Sequence, residues 1–197
     1  MTAAHHLHDL QTALAALAPT VDDIEAHGAR IGRALAAGAR LLAVGNGGSA
    51  AQAEHLTAEL VGRFDGERRP LAALAIGSEY AAMTAIVNDY GADDAFVRPV
   101  RAHGRPGDVI VALSTSGRSH NVLAAVAAAH EVGMTSLALT GPAPNPLASV
   151  CGEAIVIDAP RTATVQEVHQ VVIHLLCLGI DRAVRELDRP LPVGGLS

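Results

Sequence analysis

Leu7, Leu10, Leu14 and Leu17 recur three and four positions apart, the spacing that lines one face of a helix, and Pro19 then interrupts. Ile24, Ile31 and Leu35 resume the pattern and predict a second helix from Val21 to Ala37. At LLAVG, residues 41–45, the pattern changes to a short unbroken apolar run that ends in glycine. Similar runs follow at LAALAI (71–76), VIVAL (109–113), SLALT (136–140) and AIVID (154–158). Helical spacing fills most of the gaps: about Ser49 to Arg63, Ala81 to Val87, Asn121 to His130, and Thr164 to Leu187. GPAPNP reads as a loop, and the turn-rich PLPVGG stretch makes residues 191–197 a loose tail.

Short, continuous apolar strands separated by helices are the pattern of a parallel sheet covered on both faces. The predicted fold is α/β: a doubly wound parallel five-stranded sheet flanked by helices, preceded by a helical hairpin. Residues 1–38 would be the N-terminal helices, used in packing against other copies. Residues 39–190 would be the sheet domain, forming one structural unit with those helices. No internal repeat or linker divides the chain.

Composition narrows the function classes. Of 197 residues, 50% are apolar and 17% charged, which excludes a disordered chain. Fourteen Lys and Arg against twenty Asp and Glu give a net charge of −6. That argues against binding nucleic acid or an anionic membrane through bulk charge, while leaving room for a local anion site. No apolar run reaches the roughly 18 residues that span a bilayer, and His174 breaks the stretch from Val171 to Ile180. MTAAHHLHDL lacks the basic and apolar blocks of a secretory signal. Cys151 and Cys177, both in apolar contexts, read as free thiols of a cytoplasmic protein. With two Phe, two Tyr and no Trp, the core must come from Ala, Leu, Val and Ile. Such small side chains bury little area per contact, so helices of neighbouring copies are expected to pack together.

Ligands of doubly wound folds bind beyond the carboxyl ends of the strands, which points to the residues after LLAVG and VIVAL. In GNGGSA, Asn46, Gly47, Gly48 and Ser49 sit between strand and helix, with Ser49 a suitable N-cap. The spacing is neither the dinucleotide fingerprint nor a Walker loop, so no nucleotide cofactor is expected. In STSGRS, Ser114, Thr115, Ser116 and Ser119 place four hydroxyls at a helix start, where hydroxyls and N–H groups together satisfy the oxygens of a phosphate.

A third constellation joins two distant helices. His55 and Glu59 are four apart on one face, and Gln166, Gln170 and His174 lie on the last helix. Imidazole and carboxylate suit zinc, and they are equally plausible proton carriers. His169 and Glu167 read as solvated or at an interface, and His5, His6 and His8 as a loose end.

GNGGSAAQAEH, VNDYG, ALSTSGRS and VQEVHQVVIH, in that order, make the chain similar over nearly its whole length to the sugar-isomerase (SIS) domain family. Within it, the motifs resemble the branch that isomerises seven-carbon sugar phosphates. The resemblance implies an aldose–ketose isomerase that converts sedoheptulose 7-phosphate to D-glycero-D-manno-heptose 7-phosphate through an enediolate, an early step towards nucleotide-activated heptose. It implies a substrate loop at Asn46, Gly47, Gly48 and Ser49, sugar contacts from Asn88, Asp89 and Gln166, and phosphate binding by Ser114, Thr115, Ser116 and Ser119. It further implies one zinc per subunit on His55, Glu59, Gln166 and His174, with Glu59 and His174 moving protons. A cytoplasmic homotetramer with shared active sites, and no nucleic acid or membrane partner, completes the expectation. Two positions depart from the pattern: Ala163 stands where an acid is frequent and Thr164 where arginine is common. The alternatives are an isomerase of another sugar phosphate or a non-catalytic relative that binds the replication initiator. That relative lacks the glutamate and second histidine that this chain keeps as Glu59 and His174.

Overall fold

The structure, a computed structural model, describes residues 2–188. The tail predicted at 191–197, like the end of the 39–190 unit, lies outside the described residues. The helices are α1 (Ala3–Leu17), α2 (Val21–Ala36), α3 (Gly48–Val61), α4 (Tyr80–Tyr90), α5 (Val97–His103), α6 (His120–Glu131), α7 (Pro146–Val150) and α8 (Thr162–Leu187). The strands are β1 (Leu41–Gly45), β2 (Ala73–Ala75), β3 (Val109–Ser114), β4 (Thr135–Thr140) and β5 (Glu153–Val156).

All neighbouring strands are parallel, in the order β2-β1-β3-β4-β5. Leu41 stands opposite both Ala73 and Val109, and Val109 opposite Thr135. The chain winds outwards in both directions from β1 and β3, so their carboxyl ends flank the switch point where such sheets bind ligands. Every residue of these two strands is buried. Leu41 and Ala43 feed the core beneath α2, α3 and α8, while Leu42 and Val44 feed the core beneath α5 and α6. Coverage of both faces explains why their sequences are unbroken apolar runs.

The structure refines several boundaries. β2 is only three residues long, because the preceding Leu71 bonds through its N–H to the Leu60 carbonyl of α3 rather than to a strand. α4 continues through Asn88 and Asp89. α5 was not expected: Pro99 sits in its first turn, where proline costs no helical bond. α7 lies at the end of the predicted loop, with the Asn145 side chain capping the Ala148 N–H and Pro146 in the first helical position.

α8 is 26 residues long, with the length and hydropathy of a membrane-crossing helix, yet it lies in the protein's own core. It meets α2 so closely that a Cβ on Gly28 would overlap the Leu176 carbonyl, and one on Gly179 the Glu25 carbonyl. α1 is also fastened to α8: His6 Nε2 is 2.8 Å from Glu167 and Arg161 Nε 2.8 Å from Asp9. His6 is therefore not part of a loose end, and His5 and His8 share its helix.

Candidate active site

The first loop turns at Gly47, whose φ of +56° lies in the left-handed region that glycine adopts freely. Gly47, not Ser49, occupies the cap position of α3. Ser49 is already helical and buried, and packs on Gly45, where a Cβ would come within 2.8 Å of it. Asn46 points outwards and exchanges two hydrogen bonds of 2.9 Å with Asn121 in the first turn of α6. That reciprocal amide pair ties the two loops together at the switch point.

In the second loop, Ser114 Oγ lies 3.1 Å from Ser119 Oγ and 3.5 Å from Ser116 Oγ. Ser119 is the cap residue of α6, but its hydroxyl turns to Ser114 and caps no N–H. Three hydroxyls thus gather at the N-terminus of a 12-residue helix, which favours an anion. Thr115 lies beside them, its carbonyl closely packed on Gly141.

About two turns into α3, His55 reaches across to α8. His55 Nε2 is 3.0 Å from His174 Nε2 and 3.2 Å from Glu59 Oε1. One ligand atom from each of His55, Glu59 and His174 lies within 4.8 Å of the others. His174 is half-buried, with the Phe64 ring 5.4 Å away and Gln170 Nε2 3.2 Å from its Nε2. Two imidazoles and a carboxylate gathered this way form a donor set that suits zinc. Gln166 sits at the first loop: its amide would be 2.6 Å from a Cβ on Gly48, and its backbone carbonyl accepts from Gln52. Asn88 donates to Asp89 (2.8 Å) on the exposed α4, and among the described residues neither bonds to the cluster or the two loops.

His169, expected near solvent, is fully buried, with Nε2 3.1 Å from the Thr140 carbonyl. Both cysteines are free. Burial, aided by the nearby Glu59 and Asp181 carboxylates, pushes the Cys177 thiol up to about 12, so it stays protonated. Sequence reading singles out neither Asn121 nor Phe64, and gives Gln170 no part beyond its place on the last helix with Gln166 and His174. The only local cue was an amide following a hydroxyl loop, or one turn before a singled-out histidine.

Glycine and hydroxyl loops at the switch point of a parallel sheet, with a His–Glu–His cluster on the helix that follows the first loop and on α8, define an α/β protein whose groups suit an anionic ligand and acid–base or metal chemistry. Residues 5–141 match the SIS domain. The phosphoheptose isomerase of Streptomyces coelicolor is 51% identical over 179 residues, covering 91% of this chain and 78% of its own. The structure of the phosphoheptose isomerase from Neisseria gonorrhoeae superposes with a TM-score of 0.84 at 40% identity, over 91% of this chain and 96% of that one. That of Francisella tularensis gives 0.86 at 32% identity, over 92% and 100%. The chain belongs to the SIS domain family and, within it, to the phosphoheptose isomerases.

Proposed function

We infer that this protein is an isomerase that interconverts sedoheptulose 7-phosphate and D-glycero-D-manno-heptose 7-phosphate, an early step towards nucleotide-activated heptose. The observation that carries the reading is the meeting of His55 and Glu59, on the helix that follows the first loop, with His174, 119 residues away from His55.

The chemical difficulty is a weakly acidic C–H beside a carbonyl, which demands a base, a stabilised enediolate and a route for the hydroxyl proton. Glu59 takes the proton from C1 of the ketose and returns it to C2. Its Oε1 faces His55, leaving Oε2 free for that task. His174 carries the proton between the two oxygens. Ser114, Thr115, Ser116 and Ser119, with the N–H groups of α6, hold the phosphate and so fix the reacting carbons. Asn46, Gly47, Gly48, Ser49 and Gln166 line the sugar.

His55, Glu59, Gln166 and His174 would hold one zinc ion, which supplies Lewis-acid polarisation of the carbonyl. Support comes from the spacing of the three ligating atoms, with Gln166 reaching the adjoining loop. Asn88 and Asp89 lie on a helix whose residues are all unburied in the single chain, which supports a homotetramer with sites shared between subunits. The helices of residues 1–38 would take part in that packing. A phosphorylated intermediate of central metabolism and two free thiols suit the cytoplasm.

Incubating the purified protein with sedoheptulose 7-phosphate, with and without chelator, tests the reading by NMR detection of the aldose. Glu59→Gln should cut kcat by about 10²-fold or more with little change in KM. No conversion by the native chain, or native turnover by Glu59→Gln, would overturn it.

A further inference from the structure

Arg68 is a charged side chain only 1% exposed. Its guanidinium donates throughout the interior: Nε to Asp181 Oδ1 (2.7 Å), Nη1 to the carbonyls of Leu60 (3.0 Å), Gly62 (3.2 Å) and Arg69 (3.1 Å), and Nη2 to the carbonyl of Glu59 (2.6 Å). Three of these acceptors lie at the end of α3, where helical carbonyls lack intrahelical donors. Asp181 is equally buried, at 4%, and also accepts from Arg185 at 3.1 Å.

The placement of the pair is what bears on function. Arg68 grips the backbone of Glu59 itself, four residues beyond His55. Asp181 stands on α8 seven positions after His174, about two turns along the same face. Cys177 lies between them, within the fields of Glu59, Asp181 and Arg68. The bridge therefore joins the two helices that bring the cluster together. A buried ion pair adds little stability compared with well-packed apolar residues, but it can fix a register.

We propose that Arg68 and Asp181 are positioning residues of the isomerase site: their bridge sets α3 against α8 and so the spacing of His55 and Glu59 from His174. The proposal rests on the function inferred above. It is tested in the full chain with Asp181→Asn and Arg68→Lys, measuring zinc affinity by competition with a chromogenic chelator, kcat and KM for sedoheptulose 7-phosphate, and the melting temperature. Zinc affinity and kcat should each fall about 10–100-fold, the usual cost of losing a group that orients ligands. KM should stay within about threefold, because the phosphate loop hangs from β3, which the bridge does not touch. Folded variants with native zinc affinity and kcat, altered only in melting temperature, would overturn the proposal. Should Arg68→Lys fail to fold, Asp181→Asn decides, since asparagine has the same shape and keeps an oxygen for Arg68. A native chain that binds zinc but leaves the sugar phosphate unchanged would sink the inferred function alone, and the variants' zinc affinities would still judge the bridge.

Discussion

His169 couples the stability of α8 to pH. Burial deprives the charged ring of water and pulls its pKa down to about 4, against the smaller opposing effect of its bond to Thr140. In the unfolded chain it titrates near the ordinary value of about 6.5. Between those values the unfolded chain binds the extra proton, so the stabilisation is complete above about pH 6.5 and drains away as pH falls towards 4. At pH 5 the loss should be about 2 kcal/mol relative to pH 7. Urea unfolding of the native chain and His169→Gln at both pH values measures it: the gap between them should narrow by that amount on acidification. A gap that does not change with pH would refute the assignment. The burial of His169 was legible, because Val165, Val168, Val172, Ile173 and Leu176 form one apolar stripe around it. The polarity of the ring points to solvent, but its position in the stripe points to the core, and position prevails. Asn121 and Arg68 were not legible, since their partners Asn46 and Asp181 are 75 and 113 residues away.

At the scale of elements, the strands that matter most were readable because they are buried on both faces. LLAVG is β1 residue for residue, and VIVAL is β3 but for its final Ser114. Short helices were harder. α5 offers only seven residues containing Pro99, and α7 five, so neither fills the window of about 11 residues or more over which helical periodicity is read. The α2–α8 contact left almost no trace, because its signal is the absence of side chains at Gly28, Gly32 and Gly179. That contact carries His174 and Asp181 into place. Gly179→Ala would drive a methyl group into the Glu25 carbonyl and to 3.0 Å from the Ala29 nitrogen, with backbone on both sides and little room to yield. Overpacking of this kind should cost about 2–3 kcal/mol, lowering the melting temperature by about 5–10 °C for a chain of this size. Calorimetry checks this, and an unchanged melting temperature would mean that the two helices can slide apart freely.

For the molecule as a whole, α4 poses the remaining problem. Its eleven residues include none that is buried, and Tyr80, Val87 and Tyr90 are 81%, 41% and 54% exposed. Beneath it lies a cavity of about 490 Å³, lined by Met83, Ile86, Ala95 and Arg98 among others. A helix this short is marginal without packing, and the homotetramer proposed above would supply the burial it lacks in one chain. The scarcity of aromatic residues points the same way. Among the described residues Asn88 and Asp89 make no bond to their own chain's cluster, and in the proposed tetramer they would face the sugar bound by a neighbour. Light scattering should therefore give a mass near four times the 20.1 kDa of one chain. Val87→Glu, which puts a charge on the exposed apolar face, should shift that mass downwards. It should also lower turnover by about 10²-fold, the cost of misplacing groups that position a substrate. A fully active species of one chain's mass, or a Val87→Glu variant that keeps the native mass and rate, would show that α4 stands free and that each chain works alone.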